Sequence, residues 1–140
     1  MILLLNLKMN NINCPCGSDL RYQDCCRPYH LTLKSAPTAE ALMRSRYSAF
    51  VLADADYLYQ TTHVSKRKGN SKDAYLKSAK DTKWLKLEII SAHTDQVEFK
   101  AFYLNQKFQP DVLHEKSNFK LEDGKWFYVD GVFYSWQKLV

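Results

Sequence analysis

The chain has no apolar run long enough to cross a membrane as a helix. It also has no Walker phosphate loop, no dinucleotide fingerprint, no nucleophile elbow and no His-Glu-x-x-His zinc helix. Nucleotide, α/β-hydrolase and zinc-protease chemistry therefore have no local motif to stand on. Outside residues 14–26 there is no cysteine. The N-terminus begins as a secretory signal does, but no basic residue precedes the apolar residues 2–5, the run is too short and no small-residue cleavage site follows. Translation is expected to start at Met9, with residues 1–8 an extension or a loose tail. The expected compartment is the cytoplasm, where clustered cysteines are more often metal ligands than disulfides.

What is present fits a compact protein. With 140 residues, 46% hydrophobic and 14% aromatic, one ordinary domain with a small appendage can bury a real core. The formal charge is +5. Four thiolates holding a divalent ion would bring it to about +3, which is mild for a nucleic-acid binder.

The four cysteines, Cys14, Cys16, Cys25 and Cys26, crowd into thirteen residues as C-x-C-x8-C-C. That is one tetrahedral set of soft ligands with none to spare. A disulfide between the neighbours Cys25 and Cys26 would be strained, and cross-pairing needs a very tight loop. Pro15 stiffens the turn, Gly17 lets the backbone curl, and Ser18 and Asp19 can begin a helical turn. Tyr22 is expected to pack over the site, and Arg21 and Arg27 to offset its negative charge. A knuckle this small has little core of its own, so the metal supplies its folding energy. With all four positions filled by protein, the site is closed and structural.

The segment Cys14-Pro-Cys-Gly-Ser-Asp-Leu-Arg-Tyr-Gln-Asp-Cys-Cys26 resembles the SEC-C motif, the zinc-binding tail of the SecA translocation ATPase. Members of that group often end in Cys-His where this chain has Cys-Cys; His30 is a candidate substitute ligand. The resemblance implies zinc, with iron the alternative for four thiolates in a reducing compartment. It also implies a protein partner for the knuckle, as the SecA tail has in the SecB chaperone and at the ribosome.

Beyond a proline-bounded linker, Thr38 is a good N-cap for an amphipathic helix to about residue 53, with Leu42, Met43, Tyr47, Phe50 and Val51 near helical spacing. Asp54 or Asp56 caps a shorter second helix, and Ser71 begins a third, to about residue 80. The period then changes to two. Strands are expected from Trp84 to His93, around Val97, Phe99, Ala101 and Tyr103, over residues 112–121, and over residues 126–132, with a hairpin at Glu122-Asp-Gly-Lys125. Helices followed by antiparallel strands make an α+β fold with the helices on one face of a curved sheet.

Pro37-Thr-Ala-Glu-Ala-Leu-Met-Arg-Ser-Arg-Tyr-Ser-Ala-Phe50, His114-Glu-Lys-Ser-Asn-Phe119 and Trp126-Phe-Tyr-Val-Asp-Gly131 resemble the signature of the YchJ-like family of small bacterial proteins. That resemblance implies an NTF2-like cone, three helices on a curved four-stranded antiparallel sheet, with a small N-terminal zinc knuckle. The expected division is a tail at 1–12, the knuckle at 13–30, a linker at 31–37, the NTF2-like α+β domain at 38–136 and a tail at 137–140. Family members often carry a second SEC-C motif at the C-terminus, and the residues from Trp136 to Val140 show none.

Such cones often enclose a pocket. Arg44, Tyr47, Tyr59, His63, Trp84, His114, Glu115 and Tyr128 are the candidates to line it. On one strand His114 and Glu115 point to opposite faces, so they cannot act together on one substrate. The preferred reading is a core polar network in which Arg44 or Arg46 pairs with Glu115 or Asp130 and locks helix to sheet. No catalytic residue is assigned. Between residues 66 and 86, eight lysines and arginines face two aspartates, a net +6. This segment could meet phosphates, although a solvated face is the simpler reading. The leading function is a non-enzymatic, metal-containing interaction module; the alternative is a small-ligand binder or enzyme using the cone. Sequence leaves the oligomeric state open.

Overall fold

The computed structural model describes residues 11–134. The expectations for residues 1–10, including the start at Met9, and for the C-terminal tail lie outside them. Among the described residues no helix is long and apolar enough to span a membrane.

After a 3-10 turn at Tyr22–Asp24 come four helices: α1 (Arg27–His30), α2 (Ala39–Val51), α3 (Ala55–Gln60) and α4 (Lys72–Asp81). Each longer helix starts where a side chain satisfies an amide that would otherwise be left open. Thr38 accepts from the Ala41 amide at 3.0 Å, Asp54 from Tyr57 at 3.1 Å and Ser71 from Ala74 at 3.1 Å. The basic residues that follow α3 begin in a 3-10 helix, Val64–Gly69.

The strands β1 (Lys83–His93), β2 (Gln96–Leu104), β3 (Pro110–Glu122) and β4 (Lys125–Phe133) pair antiparallel in sequence order. Asp123 and Gly124, with φ of 52° and 74°, turn the last hairpin through the left-handed region that such a tight connection demands. Register shifts interrupt β1 against β2 at Trp84/Lys86 and Ile89/Ser91, and β3 against β4 at Asn118/Phe119. Bulges of this kind bend a sheet, and here they curve it around the helices. The free edge of β4 is partly covered: Tyr128 exchanges backbone hydrogen bonds with Thr61 and His63, each at 2.8 Å.

Alternation on β2 sends Val97, Phe99 and Ala101 into the core, joined by Leu87, Phe119, Leu42, Met43, Tyr47 and Leu58. Helix α2 is the centre of this packing. Its buried residues include Ser45, Arg46 and Ser48 besides the apolar ones, because one flank faces the cone and another faces the cysteine segment.

Glu115 on β3 lies in this core, 5% exposed. Its room comes from Gly131 on β4, where an added Cβ would fall 2.1 Å from Glu115 Oε2 and 2.6 Å from its Cδ. Gly131→Ala should therefore destabilise the fold by about 1–3 kcal/mol. Glu115→Ala removes the obstructing atoms, so the double variant should lose much less than the two single losses combined. Chemical denaturation of the four proteins checks this; strict additivity would contradict the steric account.

Candidate metal centre and cone cavity

The cysteine segment is folded by its backbone before any ion is considered. The Cys14 amide donates to Leu20 O at 2.7 Å and Tyr22 N to Ile12 O at 3.0 Å, closing a short antiparallel loop. Gly17 at φ 81° makes the reversal, with the Gly17 amide donating to Cys14 O. The 3-10 turn then returns Cys25 and Cys26 to the first pair.

All four thiols are free, and their Sγ atoms lie within 4.8 Å of one another. Cys16 to Cys25 is 3.6 Å and Cys25 to Cys26 is 3.9 Å. A tetrahedral ion with metal–sulfur bonds of about 2.3 Å places its ligands about 3.8 Å apart, so the donor set fits one tetrahedral metal. Cys14, Cys16 and Cys26 are buried and Cys25 is partly so. Hydrogen bonds from the Cys14 and Cys26 thiols hold the Cys16 thiol far below its ordinary range. Burial pushes Cys25 up to about 11. Hydrogen bonds to Cys14 and Cys16, then burial, raise Cys26. A divalent ion binds cysteine as thiolate, so loading the cluster would displace thiol protons.

His30 is not placed to replace a cysteine. Its Nε2 lies 2.7 Å from the Ser45 carbonyl, which only accepts, so Nε2–H donates there. That leaves Nδ1 to accept from Tyr22 OH at 2.7 Å. Both nitrogens are used, and burial lowers the imidazole's pKa in favour of this neutral form. His30 also meets the Tyr57 ring edge-on at 4.8 Å, so its role is to fasten the knuckle to α2 and α3.

Helix α2 supplies the inner wall of the knuckle. Arg44 Nη1 donates to the Cys16 carbonyl at 2.7 Å while its Nε donates to Glu40. Ser48 Oγ is 3.4 Å from Cys14 Sγ, and Ser18 Oγ is 3.1 Å from Cys25 Sγ. Leu52 packs against the cluster. Arg44 thus serves the cysteine segment and not the pairing with Glu115 or Asp130 expected from sequence. Arg44, Ser45 and Ser48 share a helix flank, a signal present in their spacing, but the sequence did not say what that flank meets.

The other flank of α2 faces a cavity of about 200 Å³ between helices and sheet. Of the residues expected there, Tyr47, Trp84, Glu115 and Tyr128 line it, as does Arg46, which was expected in the helix-to-sheet network. Phe50, Tyr75 and Phe99 also line it and were not singled out. Arg46 locks helix to loop: Nη1 donates to Leu58 O at 2.8 Å and Thr61 Oγ1 at 2.7 Å, and Nη2 to Tyr75 OH at 3.2 Å. Its guanidinium lies 4.7 Å from the centre of the Tyr128 ring. Tyr128 OH in turn donates to Glu115 Oε2 at 2.9 Å, and Ser117 Oγ donates to the same oxygen at 2.6 Å. The helix-to-sheet lock therefore runs from Arg46 through an aromatic ring to Glu115.

Four candidates face elsewhere. Tyr59 is covered by Arg67 at 4.9 Å and Lys72 at 5.6 Å. His63 pairs with Glu122 and Ser65 at a separate cleft. His114 points to the opposite face from Glu115, where it meets Glu98 at 2.9 Å and the Tyr134 ring at 4.3 Å. Asp130 is outside, accepting from Asn118 and lying 3.9 Å from Lys66. In the basic segment, Lys66, Lys72, Lys77 and Lys86 each lie within 4.0 Å of a carboxylate, and Arg67 donates to the Thr62 and Gln60 carbonyls.

Comparison with known proteins covers both parts of the chain. Residues 38–131 match the family described as YchJ, middle NTF2-like domain, and residues 11–28 match the SEC-C motif. A UPF0225 protein of Deinococcus radiodurans is 44% identical over 117 residues, spanning 84% of this chain and 86% of that protein. Another from Photorhabdus laumondii is 42% identical over 126 residues, spanning 85% and 79%. The solution structure of a SEC-C motif containing protein from Rhodopseudomonas palustris superposes with a TM-score of 0.81 at 34% identity, covering 89% of this chain and 100% of that one. The crystal structure of a SEC-C motif containing protein from Psychrobacter arcticus gives a TM-score of 0.74 at 30% identity, covering 92% and 86%.

Two outcomes follow from this geometry. Chelation, or Cys25→Ser, should abolish hydrogen-exchange protection across residues 13–28 while β2 and β3 keep theirs; unchanged protection would show that no metal holds the knuckle. Burial raises the Glu115 carboxyl above the ordinary range against the hydrogen bonds of Ser117 and Tyr128 and the charge of Arg46. A carboxyl raised in the folded state supports stability below its unfolded pKa of about 4.3 and loses that support as pH rises through the folded value. Wild type should therefore lose stability over that window relative to Glu115→Gln, whose amide oxygen can still accept. Parallel denaturation curves from pH 4 to 8 check the sign.

Proposed function

This chain belongs to the YchJ-like (UPF0225) family, and we propose that it is a cytoplasmic, zinc-binding interaction module whose SEC-C knuckle presents a surface to a protein partner. The observation that carries this reading is the closed set of four cysteine sulfurs within 4.8 Å. A filled coordination sphere offers no open position for substrate, so its chemistry is to hold a shape. That shape carries exposed apolar side chains on the knuckle and just after it: Leu20 at 54%, Leu31 at 46% and Leu33 at 74% exposure. Zinc suits four thiolates without redox change, and iron is the competing ion. The similarity of the knuckle to the SecA tail suggests the SecB chaperone or the ribosome as the partner.

Elemental analysis of protein purified under reducing conditions should find one zinc per chain, lost in Cys25→Ser. Purified SecB and ribosomes should retain wild type. Leu20→Asp should weaken retention about tenfold, roughly 1.4 kcal/mol, with zinc content unchanged. Retention that survives removal of the metal would overturn the knuckle as the docking surface.

A second reading has its own support. The cone is neither filled nor collapsed, and a titratable group, Glu115, faces its cavity. This favours a small-molecule site beside the knuckle.

A further inference from the structure

A second hollow lies outside the cone, where the segment joining the knuckle to the domain meets the last strand. Its volume is about 340 Å³, at the lower end of the range for small-molecule sites. Residues 29–36 supply one wall, and the end of α3 and residues 125–127 of β4 supply the others. The Trp126 indole donates to the Pro37 carbonyl at 3.3 Å and pins the linker to β4.

The charge of this hollow is one-sided. The charged residues lining it are Lys34, Arg67 and Lys125, all cationic. They come from the linker, the 3-10 helix and β4, so folding is what gathers them. Gathering like charges opposes folding unless an anion joins them. Among the described residues no carboxylate forms an ion pair with any of the three. Glu122 and Asp123 line the neighbouring cleft instead, where Glu122 is held by His63 and Lys120.

All three cations reach solvent: Lys34 and Lys125 are exposed and Arg67 is half-buried. Arg67 is held in place. Its Nε donates to the Thr62 carbonyl at 3.0 Å and its Nη2 to the Gln60 carbonyl at 3.1 Å, with the guanidinium 4.9 Å from the Tyr59 ring centre. Lys34 Nζ stands 5.5 Å from the centre of the Tyr29 ring, itself a wall of the hollow. Lys125 carries its charge on a flexible four-carbon stem.

Charge and shape narrow the occupant. A phosphate monoester carries about −1.5 to −2 at neutral pH and three acceptor oxygens, which three cations match better than they match one carboxylate. Guanidinium meets phosphate through its fork and lysine meets it as a point charge. Beside the cations, Tyr29, Trp126 and Phe127 are partly buried, and such rings suit a flat guest.

We propose that this hollow binds a small organic monophosphate with an aromatic or heteroaromatic body, its phosphate met by Lys34, Arg67 and Lys125. The site shares no lining residue with the cone cavity, so it stands or falls apart from both readings above.

The test uses the full metal-loaded chain, labelled for NMR. The probes are phenyl phosphate and AMP, against benzoate, inorganic phosphate and benzyl alcohol. Both esters should shift the amide resonances of Ser35, Thr61 and Phe127. They should bind about threefold tighter or more than benzoate or inorganic phosphate, the worth of one added charge contact or one stacked ring. Lys34→Gln and Lys125→Gln change exposed side chains, so the fold is kept. Each should weaken the esters about threefold, and the pair about tenfold. Lys107→Gln, on the loop between β2 and β3, should change nothing. Added salt should weaken the esters and leave benzyl alcohol unaffected. The tighter ester marks the guest as a nucleotide or a simple aryl phosphate. Equal binding by benzoate, benzyl alcohol or inorganic phosphate overturns the ligand class. Lysine variants that bind like wild type overturn the site, as does the absence of any shift at those three amides.

Discussion

Helix α2 has to satisfy three polar side chains with almost no water. Ser45 and Ser48 are 0% exposed and Arg46 is 4%, and a buried hydroxyl or guanidinium left unpaired destabilises by several kcal/mol. The rest of the fold is arranged around their partners. Ser45 bonds Tyr57 of α3 at 2.6 Å and offers its carbonyl to His30. Ser48 meets Cys14. Arg46 gathers the end of α3, the Tyr75 hydroxyl of α4 and the face of Tyr128 on β4. One helix thereby positions the knuckle, the other two long helices and the last strand.

Much of this was readable in the chain. The capping residues Thr38, Asp54 and Ser71 mark helix starts because short oxygens bond free amides wherever they occur. The change from helical to alternating period near Trp84, and the Asp-Gly turn at residues 123–124, report local backbone preferences. The four cysteines are legible for a similar reason: a tetrahedral thiolate site has few spacings that close it. Even the opposite facing of His114 and Glu115 follows from strand geometry alone.

Sequence could not tell which distant surface a side chain would meet. Arg44 and Arg46 stand two apart on one helix, about 200° around its axis, and nothing local says that one serves the knuckle and the other the cone. Tyr59, His63 and Tyr128 look alike as candidates until the bridge between Thr62 and Tyr128 fixes the chain's path. Nor does the sequence show Gly131 as the space into which Glu115 fits, since that glycine has no unusual backbone angle to announce it.

The wall that α2 lends to the cysteines bears on portability. A fragment cut from residues 11–30 would carry all four sulfurs, both tight turns and Tyr22. It would leave behind the Ser48 hydroxyl against Cys14, the guanidinium on the Cys16 carbonyl, and the Ser45 carbonyl that fixes the His30 tautomer. The motif is a cassette when written as letters, yet as an object its back panel belongs to the next domain. Grafting it elsewhere means grafting a stretch of helix as well, with serine, arginine and serine at the same pitch.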